Sequence, residues 1–492
     1  MYLFFYVLFL AAALALSPDA LWSPDSRTYI VLFGLIALWR YGWQAVHLVR
    51  ACIYRWTRFP HLRARAESLL PPETPPAVFL CMTCHRIPAE SVALSVRAAV
   101  QDGVDYGGPV TLVVAVAEIA DQRLVKAAFA STGAPRRVRL LLVRRRAIGK
   151  RDALAASLRA VIRMRPDSDA FVGLMDGDAV LPLGTLKRCL PFFDLLPEVQ
   201  ALTTDEDCAS RGGKLWTEWW RLRYAKRQIL MCSLGLSRRV LCLTGRFSLY
   251  RASAVLAPAF IDRIAGDSIV HWRLGRIPLL TGDDKSAWLS LLERGWPDML
   301  YVPDVTVATI EIPPQRWFLP GSVRLMARWS GNMVRANPPA LALGRERLGG
   351  FLWWCLIDQR ISMWTTLIAP TLTLLLALQG IWLALYAYVL WVAITRLMQA
   401  LTLLTVRHRI SGLTPILLWW TQVAGAWIKV TALFHPDRQA WTRQDIQARP
   451  VASSWSGRLR ALGSHGAQAI AFGYFAIAIV WLSYRLSIPV PL

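Results

Sequence analysis

The 492-residue chain is 55% hydrophobic, contains 23 Trp and carries a formal charge of +24. Its apolar residues cluster at the two ends, which excludes an ordinary soluble globule and describes a membrane protein with a soluble insert. The surplus of Lys and Arg follows the positive-inside bias and suits anionic lipid or an acidic polymer; no zinc-finger spacing or other nucleic-acid module is present, so nucleic acid is not an expected partner.

Met1–Ser17 is almost wholly apolar and lacks the basic start of a signal peptide, so it is expected to be an uncleaved membrane helix. Tyr29–Tyr54 reads as a second span. Arg55, Arg58, Arg63 and Arg65 follow it and direct the chain into the cytoplasm. Pro71-Pro72-Glu73-Thr74-Pro75-Pro76 is a stiff linker into a folded unit. Strands and helices then alternate: strands at Ala77–Met82, Thr111–Val116 and Val138–Val143, helices at Glu90–Val100, Gln122–Ala130 and Arg151–Arg163. The βαβ alternation predicts a mainly parallel sheet with helices on both faces. Cys81 and Cys84 form a lone C-x-x-C without a second half-site, and are expected to be reduced and packed.

Gly149-Lys150-Arg151-Asp152-Ala153 opens a helix. A helix start favours anions, and Lys150 adds a full charge; a solvated basic helix start is the plain alternative. In Ala170–Pro182 an apolar run ends abruptly in Asp176-Gly177-Asp178. Ligands of open α/β sheets sit beyond the carboxyl ends of the strands. Two carboxylates at that edge, divided by a residue without a side chain, suit a Mg2+ or Mn2+ ion on a diphosphate, although Asp-Gly is also a common surface turn. Trp216–Leu234 is an amphipathic helix rich in Trp and Arg. Thr281-Gly282-Asp283-Asp284-Lys285 precedes an apolar helix, where Asp283 and Asp284 are either functional carboxylates or acids that favour a helix start.

Gln315–Arg335 mixes Trp, Phe, Leu and Arg at helical spacing, as in a helix lying in a membrane interface. Gly350–Leu404 holds two or more spans, Leu413–Phe434 another, and Ala467–Tyr484 the last. Arg407–Arg409 and the Arg-rich His435–Leu462 both read as cytoplasmic, yet one obvious span separates them. Either a span is hidden in Gly350–Leu404 or Leu413–Phe434 does not simply cross.

Taken in order, these motifs resemble the processive family 2 glycosyltransferases, the cellulose, chitin, hyaluronan and alginate synthases. Gly149–Ala153 is similar to their GK-x-x-A element and Asp176–Asp178 to their metal-binding DxD. Leu243–Arg251, with Gly245, resembles the acceptor-lining SGP-x-x-x-YR segment, Arg246 replacing Pro. Thr281–Asp284 resembles the TED/GDD element, whose last acid is the catalytic base. Arg328-Trp329 resembles the end of QxxRW, with Leu325 in place of Gln. Lys429 and Trp441-Thr442-Arg443 resemble the cytoplasmic gating segment over the nucleotide. The usual carboxylates that touch the base are less evident; Glu118 and Asp121 are the candidates.

The resemblance implies an α/β GT-A-type cytoplasmic domain inserted between α-helical membrane segments of a bacterial inner-membrane protein. It implies Asp284 as base with Asp283 beside it, and Asp176 and Asp178 on a divalent metal. Lys150, Asp176, Arg328, Trp441 and Arg443 would hold the nucleotide sugar, and Gly245, Arg246 and Trp329 the acceptor. The TGDDKS and SRRVLCLTGR wording is most similar to the alginate-polymerising branch. That branch implies GDP-mannuronate as donor, a polyanionic β-1,4-polymannuronate as product, a PilZ-domain partner that senses cyclic di-GMP, and periplasmic export proteins. The residue chemistry permits this and leaves open a UDP-sugar synthase of hyaluronan, chitin or cellulose type, or an inactive export or scaffold subunit. The expected plan is two membrane helices over 1–54, a basic linker over 55–76, the glycosyltransferase domain over 77–312 and interface helices over 313–348. Membrane helices over 349–434, the gating segment over 435–464 and a last membrane helix over 465–492 complete it.

Overall fold

The computed structural model describes residues 2–22, 27–70, 72–146, 149–406, 409–441, 446–447 and 455–486. Three strands, β1 (Val78–Cys84), β2 (Val110–Val116) and β3 (Val138–Arg144), alternate with helices Ala89–Tyr106, Ile119–Ala130 and Lys150–Arg163. β1 and β2 are near-continuous apolar and buried runs, as parallel strands covered on both faces require, whereas the edge strand β3 is only half-buried and carries Arg139 and Arg144. Next come β4 (Phe171–Asp176), β5 (Ala179–Val180), β6 (Ala201–Ser210) and β7 (Phe247–Arg251), then β8 (Ser268–His271), β9 (Gly275–Pro278) and β10 (Met299–Glu311). The eight-stranded sheet runs β3-β2-β1-β4-β7-β6-β10-β5, and β8 and β9 form a separate hairpin.

The expected parallel sheet holds over β3-β2-β1-β4, where every pairing is parallel. β6 and β10 are parallel as well, so the sheet is mainly parallel as expected; β7 is an inserted exception, antiparallel between β4 and β6. The segment before β7 is not a simple crossover: the long helix Lys214–Gly235 and an irregular stretch bring the chain back from the other end of the sheet. The strand order reverses between β1 and β4, so a crevice opens beyond their carboxyl ends. Gly177 turns the chain there. A Cβ on it would lie 2.3 Å from the Thr83 carbonyl oxygen of β1, so only glycine passes. β5 then pairs antiparallel with β10 and straps down the segment that follows Asp178.

Cys81 and Cys84 are buried free thiols, and burial pushes both up to about 12. They are the reduced, packed cysteines expected.

Among the described residues, four helices are long and apolar enough to cross a membrane: Gly350–Leu378, Trp382–Thr405, Leu413–Phe434 and Gly457–Trp481. Two helices therefore fill the stretch in which a hidden span was considered. Leu413–Phe434 keeps contact with the sheet domain along its length. Trp219 donates to Thr421 at 3.1 Å, Trp420 to Ser322 at 3.1 Å, and Arg273 of the β8–β9 hairpin to the Phe434 carbonyl at 3.1 Å. These bonds tie one face of a helix that is itself apolar and long enough to cross a membrane to the domain. At the other end the apolar helix Tyr2–Ala15 and the helix Arg27–Ile53 precede the basic helix Phe59–Glu67.

β10 breaks register between Val302 and Thr306. Pro303 lies in this bulge, a position where its missing N–H costs no ladder bond. The bulge presents Asp304. Arg63 grips both of its oxygens at 2.8 Å and Arg188 one at 2.6 Å, joining the basic helix to the sheet. Arg63 is only 8% exposed, whereas the Asp304 side chain is 28% exposed, so solvent weakens the pair in part. Asp304→Ala should destabilise the fold by about 1–3 kcal/mol, mainly by stranding a buried guanidinium. A lowered melting temperature of the purified chain in detergent, with a smaller loss for Asp304→Asn, is the expected result.

Candidate active site

Asp176, Asp178, Lys150, Gly245, Arg246, Asp283, Asp284, Arg328 and Trp329 all line one cleft of about 280 Å³ at the crevice beyond β1 and β4. Asp176 ends β4, Lys150 opens the helix after β3, and Asp283 opens the helix Asp283–Glu293. These sequence-distant elements are joined by one ammonium: Lys150 Nζ lies 2.7 Å from Asp176 Oδ1 and 2.7 Å from Asp283 Oδ2. Gly245 makes room for it, since a Cβ there would meet Lys150 Nζ at 3.1 Å and the Asp176 carboxylate at 3.5 Å.

The charges tune one another. Burial works against the Lys150 ammonium, yet Asp176 and Asp283 outweigh it and raise its pKa. Burial would raise Asp283, but Lys150 and Arg151 hold it below the usual carboxylate range. Burial, stronger here than the Lys150 ammonium, and the neighbouring Asp178 hold Asp176 above that range. Burial and the negative Asp283 beside it raise Asp284 as well. The two acids of the turn are therefore pushed apart: one is locked in an ion pair, the other is a more basic carboxylate facing the cleft.

The turn is held from below by residues that the motif pattern did not single out. Arg151, buried, donates to the Thr281 carbonyl at 2.9 Å and to Ser286 Oγ at 3.0 Å. Gly282 adopts a left-handed φ of 86°, which admits the turn without strain. Thr281 Oγ1 donates to Asn332 at 2.6 Å, and Arg335 also donates to Asn332 at 2.9 Å. Gln439 bonds the Leu280 amide at 3.0 Å and the Pro278 carbonyl at 2.9 Å, which brings the first residues of the expected gating segment against the same turn. Trp441 lies in a short strand, Ala440–Trp441, paired with Ile446–Gln447; Arg443 falls outside the described residues. Lys429 lines a second cavity and not this cleft.

Arg246, in place of the family's Pro, pairs with Glu311 at 2.6 Å and lies over the Tyr224 ring at 4.7 Å. Arg227 meets Glu206 at 3.3 Å, and Thr244 also bonds Glu206. Glu118 approaches His85 at 3.9 Å at the rim; neither Glu118 nor Asp121 is among the lining residues. Trp329 is bracketed by Trp219, stacked at 5.6 Å, and by the Arg223 guanidinium, 3.1 Å from the ring centroid. Arg223, Arg227, Glu206 and Glu311 carried no motif, and their only sequence signal was the i, i+4 spacing of two arginines on the Trp-rich helix.

The second cavity, about 610 Å³, lies among the membrane-proximal helices and shares Arg223, Arg227 and Trp329 with the cleft. Its described lining also contains Arg40, Lys226, Arg396 and Lys429, with Asp358 as the one carboxylate. Gln44, Gln399 and Gln422 hydrogen-bond in series across it, at 2.8 and 3.0 Å.

Leu325, where the family has Gln, is 5% exposed in an apolar cluster with Trp216, Trp219, Trp220 and Met326. No amide partner is called for there, and the polar tie to the turn comes instead from Asn332 on the same helix. Leu325→Gln should cost about 1–3 kcal/mol through an unmatched buried amide. A lower melting temperature with no gain in turnover is the expected result.

Residues 75–332 match the family described as "Glycosyltransferase like family 2". A protein described as "Glycosyltransferase alg8" from Pseudomonas syringae pv. tomato is 41% identical over 461 residues, which span 92% of this chain and 93% of that protein. One of the same description from Azotobacter vinelandii is 39% identical over 457 residues, 92% of each. A mannosyltransferase of Pyrobaculum calidifontis, solved with GDP-Man and Mn2+, aligns with a TM-score of 0.44 at 15% identity, over 79% of this chain and 98% of that one. With the family matched over more than half its length and two relatives near 40% identity along nearly all of it, the chain belongs to the family 2 glycosyltransferases and is a membrane-embedded glycosyltransferase of GT-A fold.

Proposed function

We propose that this enzyme polymerises GDP-mannuronate into β-1,4-polymannuronate, the precursor of alginate, by processive inverting transfer, and passes the chain across a bacterial inner membrane. The observation that carries the reading is the junction of the two cavities. A carboxylate-lined cleft shares a wall of Trp and Arg with a cavity rich in cations, the lining an acidic polymer would need. The approximately 40% identity to two alg8 proteins supports the same branch.

Asp176 and Asp178 fit a divalent ion. They lie at the sheet edge, where Asp178 raises the pKa of Asp176, so the pair favours a nearby cation. Among the described residues no third His, Cys, Asp or Glu converges with them, which leaves coordination positions for diphosphate oxygens and water, as Mg2+ prefers. Such an ion would stabilise the charge of the departing diphosphate. Lys150 and Arg328 supply positive charge to the same end of the donor, and Arg443 and Trp441 are proposed to close over it. Asp284 takes the proton of the acceptor hydroxyl as the oxygen attacks the anomeric carbon and the nucleotide diphosphate leaves. Asp283 keeps Lys150 and the turn in position. Trp329 supports the acceptor end. The catalytic domain is assigned to the cytoplasm, where the basic helix and the donor are. A PilZ-domain subunit that senses cyclic di-GMP and periplasmic export proteins are the proposed partners.

The test is incubation of membranes containing the chain with GDP-mannuronate or with UDP-sugars, with and without chelator, followed by linkage analysis. A β-1,4-mannuronan from the GDP donor alone, lost on chelation, is expected; polymer from a UDP-sugar would assign another synthase. Asp284→Asn should reduce polymerisation by at least about a hundredfold, since a general base contributes on the order of 10²–10⁴. Because the base acts ionised and its pKa is raised, activity should fall on the acid side at a pH above that of an ordinary carboxylate. Asp283→Asn removes the adjacent negative charge and should move that acid limb of the residual rate to lower pH.

A further inference from the structure

Three guanidinium groups meet at the wall between the two cavities. Arg227 reaches Glu206 at 3.3 Å through Nε, with both its Nη atoms buried and unmatched among the described residues, and Arg246 has Glu311 at 2.6 Å. Arg223 has an aromatic partner instead: its guanidinium sits 3.1 Å from the Trp329 ring centroid, and its buried Nη1 has no hydrogen-bond partner among the described residues. Trp219 stacks on Trp329, so the guanidinium occupies the ring surface that a sugar would use. A cation on an indole is favourable by electrostatics, and a buried N–H without an acceptor is costly. The arrangement is therefore stable but incomplete.

We propose that Arg223 is the carboxylate-reading residue of the acceptor site, and that it enforces an acidic sugar at the growing chain end. The inference rests on the polymer reading above and adds the residue that selects the substrate class. A neutral sugar seeking the Trp329 face must displace the guanidinium and gives it nothing in return. A uronate brings its own carboxylate. The guanidinium leaves the ring for a charge-assisted pair that satisfies the orphan N–H, and the sugar takes its place on the indole. Arg suits this better than Lys, because its planar fork both stacks on a ring and binds a carboxylate at two points. Exclusion of neutral chains then comes from the cost of displacement and acceptance of acidic chains from the new pair, the two halves of a specificity device.

The test uses the full-length chain in nanodiscs with two fluorescent probes, a β-1,4-mannuronate hexamer and the same hexamer with its carboxyl groups reduced to alcohols. The wild type should bind the acidic probe at least about tenfold more tightly, the usual worth of one charge-assisted pair. Arg223→Met should weaken acidic binding by about tenfold and leave neutral binding equal or tighter, because the Trp329 face is freed. A merely structural role would weaken both probes together. Arg223→Lys, the milder change if Met misfolds, should give an intermediate preference. Unchanged preference in Arg223→Met, or a wild type that binds both probes equally, overturns the assignment of Arg223. The polymer reading stands or falls separately, on the linkage analysis of the product.

Discussion

The ammonium of Lys150 is the constraint on which the active cleft depends. It bridges the end of β4 and the start of the helix after the TGDD turn, regions more than a hundred residues apart in sequence. Without it Asp176, Asp178 and Asp283 would be crowded carboxylates in a part-buried cleft, and breaking a buried pair of this kind costs about 3 kcal/mol or more. The same charge makes Asp283 and Asp284 unlike one another. Adjacent acids on one turn thereby separate into an anion fixed in an ion pair and a carboxylate that holds its proton more tightly, the divergence by environment that acid–base sites depend on.

The part of the molecule legible in sequence is the part governed by local rules. Apolar runs that end in Asp176-Gly177-Asp178, the glycine-led helix start at Lys150 and the acidic pair ahead of an apolar helix each declared an element and its end. The structure gathers Lys150, Asp176, Asp178, Gly245, Arg246, Asp283, Asp284, Arg328 and Trp329 into one cleft. What escaped was set by long-range packing. β7 is a five-residue strand, FSLYR, and nothing in so short a run encodes the direction in which it enters the sheet. Asn332 and Arg151 act through the turn they support, and Gln439 reaches it from a segment 159 residues away from Leu280. Leu325 stands where the resemblance has Gln, and its apolar surroundings, which no local pattern encodes, match its side chain, while Asn332 on the same helix makes the polar contact to the turn.

The two cavities share a wall of aromatic and guanidinium groups, Arg223, Arg227 and Trp329, and differ in the charge of what lies on either side of it. Donor-side charges are carboxylates balanced by Lys150 and the arginines; the far side has several cations against Asp358, itself held by Arg40 at 2.6 Å. In a low-dielectric setting such an excess is costly unless water or a mobile anion offsets it. The Gln44–Gln399–Gln422 series supplies neutral hydrogen-bonding groups that can serve hydroxyls without holding them tightly. A lining of this kind favours an acidic chain while leaving each individual contact weak enough to exchange.

The register break of β10 carries a consequence for evolution by insertion and deletion. Residues 303–305 face no partner between Thr204 and Asp205, so a residue lost there can be absorbed by a smaller bulge while Thr306–Glu311 keep their pairing. Successive side chains of a strand alternate between faces, so the same loss after Thr306 would turn Glu311, which pairs with Arg246, from the cleft toward the opposite layer. The bulge thus acts as a phase buffer: a change of length that it can take up is one that the paired stretch beyond it cannot.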